Sequence, residues 1–282
     1  AEVAPPPGPR LRPSILIGSL VLLVGALAAG LLVGPVSVPF GGTLAEIADR
    51  LPLVSIDSGL DDRQAAIVCE LRLPRVLLGA MVGAALSVSG AAYQGVFRNP
   101  LADPYLLGVA AGAGLGATLV IVGGGSIGLI PVAAFGGAVA AVVVAYALGS
   151  IGAGPRSGAT LILAGVAVAA FFTAAQTFVQ QQNADSVREV FTWILGRLSG
   201  ATWSDVRTVT PYVVVACVVL MLHRRHLDVF RVGDDEAASL GVSVGRTRLA
   251  IVVAATLGTA AVVSVSGLIG FVGLSGPHAI RL

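Results

Sequence analysis

Long segments without a charged residue constrain this chain more than any other feature. Of its 282 residues only 32 are charged, 17 basic and 15 acidic, and 56% of the chain is hydrophobic. A helix needs about 20 apolar residues to cross a bilayer. The charge-free segments are Ser14–Gly34, Val76–Phe97, Pro104–Pro155, Ser157–Ala184, Thr208–His223 and Leu249–Ile280. Thr208–His223 is shorter than the others, and we expect its span to start near Ser204. They predict a polytopic membrane protein. They exclude a disordered chain, a nucleic-acid binder built on basic patches and a disulfide-stapled secreted scaffold.

Two of these segments are too long for a single span. Pro104–Pro155 is divided by the glycines at 123–125 and by Pro131. Leu249–Ile280 is broken by several glycines and by Pro277, so it predicts one complete helix and the start of another. The sequence therefore predicts an all-α transmembrane bundle with seven complete spans and an eighth that has begun. The 37 glycines suit such a bundle, because small residues let membrane helices approach closely.

The distribution of arginine predicts the orientation of the chain, which contains no lysine. With the N-terminus inside, the inner segments hold ten arginines and six acids, and the outer segments hold seven arginines and nine acids. Basic residues are enriched on the cytoplasmic side of membrane proteins. We therefore expect a disordered, proline-rich cytoplasmic N-terminus over residues 1–13 and a transmembrane domain over residues 14–282.

A series of short motifs follows in order from about residue 14 to the end of the chain. They are Leu71-Arg72-Leu73-Pro74-Arg75, Gln94-Gly95-Val96-Phe97-Arg98-Asn99-Pro100-Leu101-Ala102-Asp103-Pro104, Leu107-Gly108-Val109, Leu163-Ala164-Gly165-Val166-Ala167, Trp193-Ile194-Leu195-Gly196-Arg197-Leu198-Ser199-Gly200-Ala201-Thr202-Trp203, Ala238-Ser239-Leu240-Gly241-Val242, Gly270-Phe271-Val272-Gly273-Leu274 and Pro277-His278. With these motifs the chain resembles the FecCD-type permeases. These are the membrane subunits of bacterial ATP-driven importers for iron chelates, haem and cobalamin.

The resemblance implies a type II ABC importer permease of about ten spans in the bacterial inner membrane. It implies four kinds of partner: a second permease copy forming a homodimer, two ATP-binding subunits, an extracytoplasmic substrate-binding protein and membrane lipids. No nucleic acid is expected. An iron–siderophore is the preferred substrate, with cobalamin and haem as alternatives. Ser275-Gly276 departs from the family pattern, which has aliphatic residues there. The chain is also expected to be truncated before its last two helices.

Arg72 and Arg75 bracket Pro74 at the predicted outer end of the second span. The resemblance implies that this arginine motif, Arg72 above all, docks acidic residues of the binding protein. Exposed arginine–carboxylate pairs steer and orient partners more than they add affinity. The alternative is that both arginines simply extend to the membrane interface.

The fifth predicted span carries one polar stripe and begins with a small-residue turn. Thr173, Gln176, Thr177 and Gln180 are spaced i, i+3, i+4 and i+7 on an otherwise apolar helix. Such uncharged side chains either face water or bond across helices. The resemblance implies that the stripe lines the translocation path. It also implies that the turn at the helix start forms a cytoplasmic gate, for which the candidate residues are Ser157, Gly158, Ala159 and Thr160; the alternative is an ordinary inside loop.

The segment Gly233–Gly241 predicts a short helix in the largest inner loop. Acids fill its first turn, where the helix dipole favours them, and Gly241 is placed to end it. We expect it to expose its two alanines and Leu240. The resemblance implies that this helix docks into the ATPase through Asp235, Glu236, Ala237, Ala238, Leu240 and Gly241. The chain lacks a Gly-x-x-x-x-Gly-Lys-Ser/Thr loop, so ATP hydrolysis is assigned to a separate subunit.

Two other classes are weighed against this interpretation. Residues 273–276 fit the Gly-x-Ser-Gly of intramembrane proteases, but His278 is too close in sequence to be the base from a separate helix. An ion-coupled transporter usually carries acids inside its spans, and all 15 acids here lie outside the charge-free runs. His223 and His226 flank two arginines and are too few for a metal site. No cofactor, metal or catalytic residue is expected.

Overall fold

The structure is a computed structural model that describes residues 13–50, 56–151 and 158–281. Within these residues it is helical and contains no strand. The helices are α1 Pro13–Leu32, α2 Phe40–Asp49, α3 Asp62–Ala66, a π-helix Ile67–Arg72, α4 Leu73–Phe97, α5 Val109–Val122, α6 Leu129–Ser150, α7 Gly158–Gln182, α8 Val187–Ile194, α9 Trp203–Leu222, α10 Arg224–Phe230, α11 Asp234–Ser239, α12 Val244–Ser266 and α13 Val272–Arg281. Apart from Pro13, the predicted disordered N-terminus lies outside the described residues.

The predicted all-α class and the order of the spans are confirmed. Six helical segments of the described residues are long and apolar enough to cross a membrane, and Val109–Val122 is a shorter apolar helix between them. These seven correspond one by one to the seven predicted spans, and α13 corresponds to the predicted start of the eighth. At about 1.5 Å per residue, α5 is only about 21 Å long, shorter than the roughly 30 Å hydrocarbon layer.

The chain divides into two compact units, residues 1–76 and 77–282. In the first unit, Val38, Val68 and Cys69 form a small buried cluster. Glu46 of α2 is buried beside this cluster and accepts a hydrogen bond from the Ser58 hydroxyl at 2.9 Å. The described residues between α1 and α4 are therefore folded.

The second unit is built around α12, the most buried of the long helices. In its most apolar 18-residue window, 78% of residues are buried. Helices α5, α6 and α9 pack against it. Polar contacts to the second half of α4 also hold it: the hydroxyls of Tyr93 and Thr256 are 3.1 Å apart, and the Ser89 hydroxyl donates to the Ala255 carbonyl at 3.2 Å. The core of the unit therefore lies around α12.

Helices α5 and α6 approach each other through glycine. A Cβ placed on Gly112 or on Gly137 would lie 2.1 Å from the other residue's carbonyl oxygen, and a Cβ on Gly116 would lie 2.1 Å from that of Ala133. No side chain fits at these three positions. Association of membrane helices depends on such close backbone packing, because the lipid tails are as apolar as the helix side chains. This contact explains why a helix as short as α5 is held firmly.

Two helices start earlier than the charge-free runs predict. The charge-free runs begin at residues 76 and 208, whereas the helical segments begin at residues 62 and 203. The start at Trp203 agrees with the expected start near Ser204, whereas the start at residue 62 is earlier than predicted. Each has a capping box, formed by Asp61 with Gln64 and by Thr202 with Asp205. Such boxes satisfy free N–H groups at a helix start. Charge-free length identifies the part of a helix that suits lipid, whereas capping residues mark where the helix begins.

Candidate functional site

The predicted short helix of the inner loop is present as α11. Gly233 precedes it with φ of 130°, and Gly241 follows it with φ of 83°. These backbone conformations suit glycine. Leu240 is 68% exposed and Ala238 is also exposed, as predicted. The expectation for Ala237 is wrong: it is fully buried, because its face of the short helix turns toward the rest of the second unit.

A buried ion pair anchors α11 to α12. The Arg248 Nη2 atom lies 2.9 and 2.8 Å from the two carboxylate oxygens of Asp234. The Arg248 side chain is only 2% exposed, whereas that of Asp234 is 29% exposed. The guanidinium also lies over the Phe230 ring, 5.7 Å from its centroid. The first turn of α11 is therefore fixed to the first turns of the most buried helix.

Two of the candidate gate residues, Gly158 and Ala159, line a cavity that Arg248 also lines, called here the gate cavity. Ser157 lies outside the described residues, and α7 begins at Gly158. A Cβ on Gly158 would lie 3.2 Å from Cδ1 of Phe97, so the helix start packs closely on the end of α4. Ala159 and Thr160 are exposed. The cavity has a volume of about 350 Å³ and is lined by Val96, Phe97, Arg98, Gly158, Ala159 and Arg248. Candidate gate and buried ion pair therefore meet at one cavity.

The polar stripe of α7 is divided between two environments. Gln176 is buried, and its Oε1 would lie 2.7 Å from a Cβ on Gly114, so it packs into α5. Of the two environments predicted for the stripe, water or another helix, Gln176 therefore has the second. Thr173 and Thr177 are exposed, and Gln180 is half-buried. The Thr177 hydroxyl donates to the Thr173 carbonyl at 2.9 Å. Three of the four stripe residues therefore remain accessible in the isolated chain.

Large apolar side chains share the exposed side of α7 with these threonines. Leu163 is 71% exposed, Phe171 69% and Phe178 62%. A water-filled path alone would not explain so much exposed apolar surface. In a membrane such a face meets either lipid or another protein surface.

Arg72 is buried in the first unit and caps α1. Its guanidinium donates to the carbonyl oxygens of Leu31 at 2.7 Å, Leu32 at 3.2 Å and Val36. Cations are favoured at a helix C-terminus, where carbonyl groups lack intrahelical partners. Because its side chain is used in this way, the structure argues against Arg72 as an exposed docking contact. Arg75 is exposed.

Sequence reasoning overlooked the two residues of the buried ion pair. In the sequence, Asp234 is one of three acids at a predicted helix start, and Arg248 is one of many inner arginines. One local signal existed: Arg248 immediately precedes the charge-free run that begins at Leu249, where burial is greatest. Their pairing across fourteen residues has no signature in the sequence.

The sequence profile of the FecCD transport family matches residues 20–282. The chain belongs to the FecCD transport family. The predicted family is thus confirmed, and with it the interpretation of the chain as a membrane-spanning transport permease. The two other classes, intramembrane protease and ion-coupled transporter, give way to this assignment.

Several curated relatives of this FecCD protein are named after the substrate that they import. It is 37% identical to the cobalamin import system permease of Halobacterium salinarum, over 93% of this chain and 79% of that one. It is 36% identical to the hemin transport system permease of Yersinia pestis, over 97% and 80%. It is 33% identical to an Fe(3+)-citrate import system permease of Bacillus subtilis, over 96% and 78%. Three different substrates at such similar identities mean that overall identity does not select the substrate of this FecCD chain.

A solved structure agrees with the fold of the FecCD chain. It is described as an inward-facing conformation of a metal-chelate type ABC transporter. The two structures superpose with a TM-score of 0.80 at 26% identity, over 95% of this chain and 80% of the other. The helical arrangement described above is therefore shared with that structure.

Proposed function

We propose that this FecCD protein is the permease subunit of an ATP-driven importer that passes a metal chelate into the cytoplasm. An iron–siderophore is the preferred cargo, and cobalamin and haem are the alternatives. The named relatives import cobalamin, hemin and Fe(3+)-citrate. All three are metal-centred complexes too large for an ion channel. A path of uncharged polar side chains suits such cargo, since fixed charges would hold it in place.

Coupling to two separate ATP-binding subunits is supported mainly by α11. A six-residue helix is marginal by itself, yet this one is fixed by the Asp234–Arg248 pair and exposes Leu240. A fixed apolar side chain in a polar surround is a typical anchor for a protein partner. Force applied by an ATPase at α11 would be transmitted through Arg248 to α12.

The translocation path is proposed to lie on the exposed side of α7, between two copies of this chain. Thr173, Thr177 and Gln180 supply its polar groups. Leu163 and Phe178 belong to the surface that the second copy or lipid covers. The turn at Gly158, Ala159 and Thr160, with Ser157 before it, is the proposed cytoplasmic gate, because it borders the cavity that Arg248 also lines.

The outer face is proposed to bind a substrate-binding protein through Arg75. The side chain is exposed, whereas Arg72 positions the start of α4 by holding the end of α1. The arginine distribution supports an outside position for this face and a cytoplasmic position for the N-terminus. The proposed location is the bacterial inner membrane.

Co-purification tests the coupling proposal directly. The permease is expressed together with its ATPase, as wild type and as Leu240→Asp, and the ATPase recovered with it is measured. Replacing a 68% exposed apolar anchor by a carboxylate should reduce recovery at least tenfold. Leu195→Asp is the matched control, because Leu195 is 81% exposed but lies outside the α10–α11 loop. Equal recovery from both variants would refute the assignment of α11.

Cargo is identified by transport. Vesicles containing the assembled importer are offered an iron–siderophore, cobalamin and haem in competition, with the binding protein on the outside. ATP-dependent accumulation of one cargo assigns it. Accumulation that continues without any ATPase would overturn the importer proposal.

A further inference from the structure

A second cavity lies at the end of α4, on the side of the turn that leads to α5. Its volume is about 240 Å³, and it is lined by Gln94, Gly95, Arg98, Pro100 and Arg231. None of these residues except Arg98 lines the gate cavity. The proposed transport function assigns no role to Gln94 or Arg231.

Gln94 is the buried polar group of this cavity. It is 4% exposed, and its Nε2 donates to the Ala102 carbonyl at 3.4 Å. This contact fixes the orientation of the amide, since a flipped amide would set two oxygens against each other. Its Oε1 then has no hydrogen-bond partner among the residues that the structure describes. A buried acceptor without a donor is costly, so the cavity suits a ligand that brings one.

Arg98 and Arg231 give the same cavity a positive rim. Both side chains are exposed, and within the described chain neither forms an ion pair with a carboxylate at 4.0 Å or less. Guanidinium groups recognise phosphate through charge-assisted hydrogen bonds. A ligand that fits both features carries a phosphate and, next to it, a hydroxyl or ammonium donor.

We propose that this cavity binds the headgroup of a membrane phospholipid. The phosphate lies between Arg98 and Arg231, and the headgroup hydroxyl or ammonium donates to Gln94 Oε1. Helix α4 has 25 residues, about 37 Å, which brings its end to the headgroup layer. Leu101 and Val232 follow cavity residues in the sequence and are 71% and 60% exposed, as suits contact with acyl chains. This site does not depend on which cargo the permease carries.

Lipid titration of the delipidated protein in detergent tests the proposal. Phosphatidylglycerol, phosphatidylethanolamine and phosphatidylcholine with identical acyl chains are compared by the rise in Tm and by native mass spectrometry. The first two carry a donor, whereas the trimethylammonium of phosphatidylcholine cannot hydrogen-bond to Gln94. We expect phosphatidylcholine to bind about fivefold more weakly than the other two. Inorganic phosphate is titrated in parallel and should not replace the lipid.

Two exposed positions allow variants that leave the fold intact. Arg98→Asn removes the charge and tolerates the positive φ of 50° at this position. Arg231→Gln removes the second charge. Each should weaken phosphatidylglycerol binding about tenfold. Arg246→Gln is the matched control, because Arg246 is exposed at the start of α12 and does not line the cavity.

Three results would overturn the proposal. The first is equal binding of all three lipids, which would remove the role of Gln94. The second is equal stabilisation by inorganic phosphate, which would assign the cavity to a free anion. The third is a loss of ATPase recovery with Arg98→Asn and Arg231→Gln at unchanged lipid binding, which would assign the two arginines to a protein partner.

Discussion

The Asp234–Arg248 pair gives the sharpest stability prediction. Asp234→Asn removes the carboxylate charge that pairs with the Arg248 guanidinium, whose side chain is 2% exposed. Removing one partner of a buried pair costs about 3–5 kcal/mol. Two facts reduce this figure: the Asp234 side chain is 29% exposed, and asparagine retains one acceptor oxygen. The cation–π contact with Phe230 also remains. We therefore expect a loss of about 2–3 kcal/mol.

Denaturant unfolding of the detergent-solubilised protein measures this loss. Asp235→Asn is the matched control, since Asp235 is exposed in the same first turn of α11 and contributes to the same helix-dipole interaction. That contribution is about 0.3–1 kcal/mol, so the two variants should differ clearly. If Asp234→Asn costs no more than Asp235→Asn, then the ion pair does not anchor α11 and the reasoning is wrong.

Three further predictions concern packing, ionisation and helix capping. Gly112→Val should abolish folded, monodisperse protein in size-exclusion chromatography, since its Cβ would meet a carbonyl at 2.1 Å, whereas Gly136→Ala, with nothing within 4 Å, should not. Burial raises the pKa of the Asp103 carboxyl. The protonated carboxyl therefore contributes fully to stability at low pH, and this contribution is lost as the pH rises through the raised pKa. Asp103→Asn should flatten the pH dependence of Tm without lowering Tm at neutral pH. Arg72→Gln should cost about 2 kcal/mol in denaturant unfolding, because it removes contacts to three carbonyls. Arg75→Gln, at an exposed position, should cost less than this and should weaken binding of the substrate-binding protein.

The sequence was sufficient where the deciding physics is local along the chain. Span number and order follow from the length of charge-free runs, which depends on consecutive residues alone. The same holds for α11, where three acids and two glycines mark the start and end of a helix. Such features need no knowledge of the rest of the fold.

The sequence was insufficient where one face of a helix decides a residue's role. Gln176 and Thr177 are neighbours, yet one packs into α5 and the other is exposed. Ala237 and Ala238 differ in the same way. The carbonyls that Arg72 caps lie about 36–41 residues earlier in the chain. The local motif does not reveal this contact, so the sequence alone indicates docking for Arg72. Periodicity finds the stripes on a helix but does not say what each stripe contacts.

An ion pair, and not only apolar packing, holds α11 to α12. A well-packed apolar pair of similar volume is often as stable as a buried ion pair, or more so. What the pair adds is direction: a charged hydrogen bond fixes the angle at which α11 meets α12, whereas apolar contacts tolerate sliding. The double variant Asp234→Leu with Arg248→Met should therefore unfold at a denaturant concentration near that of the wild type. The ATPase should still co-purify with it. Its ATP hydrolysis should rise relative to cargo accumulated in vesicles, because the force at α11 reaches the gate cavity less directly. Wild-type accumulation per ATP in this variant would show that the pair serves stability alone.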